Sequence, residues 1–367
     1  MTQKIQECLN RKKNVCGIFF DISKAFDKVW HAGLVYKLIY LGVPVYIIRF
    51  IRNFLNDRFF KVKVNDTFSR SHPITCSVPQ GSVLGPLLFL VFIGDIPLSN
   101  SKSVSYSALF ADDLSSIFIF KKPGKIIHLM KAYLASLVEW LFKWRLKMNA
   151  SKCCYTIFSQ AGHGKLAFNL LLNGEPIPYN SKPIFLGITF DEKLNFSAHF
   201  DNLRVRALKR LNIIKIFSHK SWHLNCTTLT NIYRALIGSI FDYSFFTIPC
   251  VSETKLKRVQ TIQNRAIRCI YRLKWDSPSE SLFQIGGVLS LKVRFLQLGA
   301  RYLAKSIRYK NEFVTTLIAE YIRSWSAITA NDQHMSTPLC FFTSILAVSF
   351  ACLVVIIMSA FCLVFFF

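Results

Sequence analysis

The stretch Ala108-Leu109-Phe110-Ala111-Asp112-Asp113-Leu114-Ser115-Ser116-Ile117-Phe118-Ile119-Phe120 decides the fold. Two adjacent carboxylates sit between the apolar, β-prone runs Val104 to Ala111 and Leu114 to Phe120. That pattern predicts a β-hairpin with the acids at its turn. A buried Asp pair repels itself and is costly unless a cation neutralises it. Hard carboxylate oxygens suit divalent metal ions, so a third carboxylate from another strand is expected. Asp21 fits, at the end of the apolar run Val15 to Phe20.

Working outward, the chain reads as alternating strands and helices. After Asp21 the spacing turns helical, with Phe26, Val29, Trp30, Leu34 and Leu38 leading to Gly42. Pro44 opens a second helix with Ile47, Ile48, Ile51, Phe54 and Leu55 on one face. Phe60 to Asp66 alternates as a strand with a turn at Asn65-Asp66. Pro79 and Gly81 punctuate a turn ahead of an apolar helix ending near Ile93. Ile126 to Trp144 is amphipathic, Cys153 to Ser159 and Pro183 to Phe190 are predicted strands, and Asn173-Gly174 is a hairpin turn. Beyond Asp191 strand signals stop. Helices are predicted over 196–217, 227–246 and 255–272, the first carrying Arg204, Arg206, Lys209 and Arg210.

Lys and Arg number 46 against 20 Asp and Glu, a net charge of +26. Such an excess points to a polyanionic partner, nucleic acid before an anionic membrane surface. The eleven cysteines are scattered without a C-x-x-C pair, which predicts free thiols, a reducing compartment and no disulfide-linked partner. No apolar signal region opens the chain, so secretion is not expected. Residues 335–367 carry no charge, and the 29 residues from Leu339 to Phe367 exceed the ~20 that span a bilayer. They predict a C-terminal apolar helix, read either as a membrane anchor or as unrelated fused sequence.

Asp21 with Asp112 and Asp113 proposes a two-metal phosphoryl-transfer site. Here the residues resemble a known family. Phe20-Asp21-Ile22-Ser23-Lys24-Ala25-Phe26-Asp27-Lys28-Val29-Trp30-His31 is followed by Val78-Pro79-Gln80-Gly81-Ser82-Val83-Leu84-Gly85-Pro86-Leu87-Leu88-Phe89, then by Phe110-Ala111-Asp112-Asp113. In content, order and spacing these resemble successive motifs of reverse transcriptases from non-LTR retrotransposons of the jockey type. The similarity continues through Trp144 to Lys152, Phe185 to Asp191, and the helices around Tyr233 and Leu256 to Arg268, covering roughly residues 1–310.

The resemblance implies an α+β fold: a right-hand polymerase palm with partial fingers over 1–195, a basic α-helical thumb and post-thumb region over 196–310, and the apolar segment 335–367. It implies RNA-directed DNA polymerase activity on an RNA template and DNA primer with deoxynucleoside triphosphates, using two Mg²⁺ ions or Mn²⁺ in their place. Asp21, Asp112 and Asp113 would hold the metals, with the Ile22 carbonyl helping. Lys152 would be the acid near the leaving pyrophosphate, or else a solvated lysine at a strand entrance. Phe26 would be the aromatic gate under the deoxyribose, or else a core aromatic. Gln80 would touch the nucleotide's sugar and Gly81 would let backbone approach it. Leu186 and Gly187 would belong to the primer grip. Arg204, Arg206, Lys209 and Arg210 would contact phosphates, or else form a solvated face. Asp27 either orients its motif or favours a helix start.

By the resemblance the protein works inside the cell, in nucleus or cytoplasm, or at a membrane if 339–367 inserts. Only 20 residues precede Asp21, which predicts missing fingers contacts and weak or absent turnover. The rival readings are a non-catalytic nucleic-acid-binding remnant and a palm-type nucleotide cyclase.

Overall fold

The computed structural model describes residues 1–101, 104–160, 168–310 and 319. Two compact units divide them, Met1–Leu194 and a second beginning at Asn195.

The first unit opens with helix α1 (Thr2–Asn10) and strand β1 (Asn14–Asp21), followed by a 3₁₀ turn at Phe26–Lys28. Helices α2 (His31–Tyr40) and α3 (Val45–Leu55) lead to short paired strands β2 (Phe59–Phe60), β3 (Lys63–Val64), β4 (Thr67–Phe68) and β5 (His72–Pro73). Then come α4 (Leu84–Ile93), β6 (Ser105–Phe110), β7 (Asp113–Phe120), α5 (Pro123–Lys143) and β8 (Cys154–Phe158). The unit closes with two small hairpins, β9 (Leu171–Leu172) with β10 (Glu175–Pro176), and β11 (Ile184–Phe185) with β12 (Ile188–Thr189).

The central sheet has the order β6-β7-β1-β8 with every pair antiparallel. β1 lies inside it and is buried on both faces, which is why its sequence is a continuous apolar run and not an alternation. Because side chains alternate along a strand, Cys16, Ile18, Phe20 and Ile22 join the main core. That core takes Met130, Leu134, Leu137 and Leu141 from α5, spaced three and four residues apart. Phe19 points the other way and packs its ring against Phe185 and Phe190, at 5.6 and 6.0 Å between centroids. The β11–β12 hairpin is thereby docked on the sheet.

Two expected elements of this unit come out broken, and one expected turn is found. The helix expected from Phe26 starts only at His31, because Val29 and Trp30 are extended and Trp30 bridges to Cys76. The strand expected over 183–190 folds back on itself at Leu186-Gly187, where both residues have positive φ, +48° and +73°. A two-residue loop with positive φ at both positions matches the twist of a hairpin. The run 60–66 divides into short strands around a turn at Asn65-Asp66, as the dipeptide suggested, and residues 59–73 are exposed throughout.

The second unit is helical. α6 (Ser197–Phe217) packs along α9 (Glu253–Tyr271), with α7 (Cys226–Tyr233), α8 (Ser239–Tyr243), α10 (Ser279–Gly286) and α11 (Leu291–Arg308) around them. His199, Phe200, Leu203, Ala207, Leu211 and Ile214 form the buried stripe of α6. Val259, Ile262, Gln263, Ala266, Ile267 and Ile270 are buried on α9. The single helix expected over 227–246 is interrupted by a π-helical turn at Arg234–Gly238, between α7 and α8. Within this turn the Arg210 guanidinium donates to the carbonyl of Leu236. Among the described residues no helix is long and apolar enough to cross a membrane. The apolar segment 335–367 lies outside the described residues.

Candidate active site

The hairpin turn and the adjoining strand end bring the acids together. β6 ends at Phe110, paired with Asp113, so Ala111 and Asp112 form a two-residue turn. Ala111 takes positive φ, +50°, at the first turn position. In the antiparallel register of β1 and β7, Asp21 lies directly opposite Asp113. Directly opposed residues in such a pair stand ~4.5–5.5 Å apart at Cα. Two carboxylates 92 positions apart in sequence (113−21) therefore become cross-strand neighbours.

The charge consequences are visible. Burial raises the Asp113 carboxyl above its ordinary range, and the charges of Asp112 and then Asp21 raise it further. Lys152 brings a cation to the acids, its Nζ 3.9 Å from Asp21 Oδ2. That pair is largely solvent-exposed and so is worth little. Lys152 is placed by backbone: Ser23 N–H donates to the Lys147 carbonyl at 2.9 Å and Asn149 N–H to the Asp21 carbonyl at 3.1 Å. These bonds flank the Ile22–Met148 bridge, so the Ile22 carbonyl takes no part in them.

Among the described residues no three His, Cys, Asp or Glu side chains form a closed metal-binding group. The donor set nevertheless fits a hard divalent cation. Mg²⁺ is ordinarily held by one or two carboxylates completed by water and substrate phosphates, not by an all-protein cage. An acid pair that raises its own carboxyl is relieved by such an ion.

The remaining sequence-derived residues distribute unevenly. Phe26 is half-buried with one face stacked on Phe89, centroids 4.4 Å apart, so the core role is at least partly filled. Gln80 Nε2 donates to Asp27 Oδ1 at 3.0 Å, which gives Asp27 a partner outside its own turn. Gly81 has φ +81°, and a Cβ there would meet nothing within 4 Å. Gly85, four residues on, is needed for another reason, since a Cβ would stand 2.5 Å from the Pro79 carbonyl oxygen. Leu186 and Gly187 form the tip of the β11–β12 hairpin on the sheet. Arg204, Arg206 and Lys209 are exposed on α6, whereas Arg210 is committed to Leu236.

Sequence reasoning singled out neither Cys153 nor the contacts of Ser77. The Cys153 Sγ accepts from the Asp21 N–H at 3.4 Å, and burial pushes its thiol up to about 11. It supports the strand end as a neutral group. Nothing in the pair Cys153-Cys154 signals that placement, because it depends on the β1–β8 register.

A family model described as "Reverse transcriptase (RNA-dependent DNA polymerase)" matches residues 1–190. The RNA-directed DNA polymerase from mobile element jockey of Drosophila melanogaster is 30% identical over 317 residues, covering 85% of this chain and 34% of that protein. The probable RNA-directed DNA polymerase from transposon BS, also of Drosophila melanogaster, is 28% identical over 276 residues, covering 74% and 30%. The chain thus spans about a third of the length of these curated relatives. Among solved structures, apo telomerase from Candida tropicalis aligns at a TM-score of 0.38 with 14% identity, over 86% of this chain and 54% of that one.

Proposed function

The chain belongs to the reverse transcriptase (RNA-dependent DNA polymerase) family, and on that premise we propose that it adds deoxynucleotides to a DNA 3′ end on an RNA template, releasing pyrophosphate. The observation that carries the proposal is the cross-strand register that sets Asp21 opposite Asp113 with Asp112 in the adjoining turn. In this reading the first unit is the polymerase palm and the helical unit the thumb.

Asp21, Asp112 and Asp113, with the Ile22 carbonyl, would hold two divalent ions, Mg²⁺ or Mn²⁺. Bound there, such ions activate an attacking hydroxyl and stabilise a leaving oxygen. The protein's own groups do the rest. Lys152, beside Asp21, holds a proton at Nζ for the departing pyrophosphate. Phe26, fixed from behind by Phe89, presents its remaining surface to the deoxyribose. Gln80 meets the sugar, and the open space at Gly81 admits the nucleotide against backbone. The Leu186-Gly187 tip holds the primer end. Exposed Arg204, Arg206 and Lys209 contact phosphates without reading sequence.

The test is primer extension on an RNA template with Mg²⁺ and deoxynucleotides, beside an Asp112→Asn/Asp113→Asn double variant. Extension by the parent, even if slow, and none by the variant, with hybrid binding kept in both, is the expected outcome. A folded parent chain that binds the hybrid but never extends it would overturn catalysis and leave a nucleic-acid-binding module. Loss of binding as well would remove both readings.

A further inference from the structure

Ser77 stands apart in backbone geometry. Among the described residues the other non-glycine residues with positive φ fall between +48° and +57°, and Ser77 is at +97°. The left-handed well available to L residues ends near +70°. A residue beyond it persists only where its surroundings over-determine it.

Three hydrogen bonds do so here. The Ser77 N–H donates to the Val29 carbonyl at 2.9 Å. Its carbonyl accepts from His31 Nε2 at 2.8 Å and from Arg58 Nη2 at 2.9 Å. Both donors are themselves anchored: His31 begins α2, and Arg58 Nε donates to the Leu55 carbonyl at the end of α3, 3.1 Å away.

Immediately after Ser77 the chain enters the loop that carries Gln80 and Gly81. Val78 N–H donates to the Phe26 carbonyl at 3.1 Å, and its side chain is fully buried. The Pro79 carbonyl accepts from Ser82 Oγ at 2.7 Å, and Gln80 reaches Asp27 at 3.0 Å. A peptide plane is rigid, so the direction of the Ser77 carbonyl fixes the direction in which the chain leaves toward Val78.

We propose that His31 and Arg58 are positioning residues for the incoming nucleotide. Together they clamp the Ser77 carbonyl and so set the Val78–Gly81 loop in register with the turn at Phe26–Lys28. The proposal rests on the polymerase reading for the role of Gln80 and Gly81, and on the structure alone for the clamp.

The experiment compares the full chain with His31→Ala and His31→Gln. Amide hydrogen exchange is read in 77–85 and, as reference, in β1 and β7. The deoxynucleotide KM and kcat are read in primer extension. Loss of one hydrogen-bond donor predicts roughly three- to tenfold faster exchange in 77–85 for His31→Ala, with β1 and β7 unchanged. KM rises by a similar factor while kcat holds within about twofold, and His31→Gln, which keeps a donor, restores both. Unchanged exchange in 77–85, equal loss of protection in β1 and β7, or a fall in kcat at constant KM would each overturn the proposal. If the parent chain extends no primer, the polymerase reading fails by itself, and exchange in 77–85 still decides the clamp.

Discussion

Acid should loosen the helical unit before the sheet unit, and the reason is one imidazole. His199 on α6 is 2% exposed, with Nε2 3.0 Å from Ser244 Oγ. Burial, reinforced by the charge of Arg206, lowers its pKa to about 4. In the unfolded chain the group titrates near its ordinary value of 6.5. The unfolded state therefore binds more protons between these values, and stability falls as pH drops through that window. Above 6.5 the contribution is complete. At pH 5 about 2 kcal/mol of it is gone, and the full loss approaches about 3 kcal/mol below the folded value. Hydrogen exchange read as opening free energy in α6 and α9, against β1 and β7, measures this between pH 7.5 and 5. The helices should lose protection over that range while the strands keep theirs, and His199→Gln should remove the difference. A pH slope in α6 that survives His199→Gln would refute the reasoning.

Replacing Arg204, Arg206 and Lys209 with Ala should reduce the salt dependence of hybrid binding by ~0.7–0.9 in logarithmic slope for each phosphate left without its cation. Arg210→Ala should leave that slope unchanged and cost about 1 kcal/mol of stability, because the Leu236 carbonyl loses its donor. In the first unit, the buried Lys37 ammonium lies 3.6 Å from the Trp144 ring and pairs with half-exposed Asp95. Lys37→Met keeps the volume and should cost under ~1.5 kcal/mol in urea unfolding. Asp95→Ala leaves the ammonium with the Phe92 carbonyl and the surrounding rings but no counter-charge, and removes the acceptor of Trp140 Nε1; it should cost on the order of 2 kcal/mol, with the partial exposure of Asp95 limiting the penalty. Equal effects from the two substitutions would show that the ion pair is not what the site depends on.

The elements read most accurately from sequence are those whose own residues suffice to define them. Val15 to Phe20 reads as a buried strand because the run is short, rich in β-prone residues and bounded by polar ends. The hairpin came from two β-prone runs meeting at a polar pair, with the turn one residue earlier than expected, at Ala111-Asp112, and Asp113 opening β7; the Asn173-Gly174 turn came from its dipeptide. The elements read less well are those in which a distant segment competes for the backbone. Trp30 leaves the helical pattern of its neighbours because Cys76 offers it a bridge. The 227–246 helix changes pitch at Arg234–Gly238, the stretch in which Arg210 donates to Leu236. Neither distant contact can be seen in a local window.

The same division runs through the site. By itself, the sequence determined which residue types are present: the acids at a turn and a strand end, the Pro-Gln-Gly loop and the basic helix. These are matters of local periodicity and composition. Only the tertiary structure decided that Asp21 faces Asp113, that Lys152 comes back beside Asp21, and that His31 and Arg58 converge on the Ser77 carbonyl. Each of those depends on strand register and on chain reversals across tens of residues. Hydrogen-bond ladders and side-chain packing select among such registers collectively, and no single stretch of sequence carries that choice.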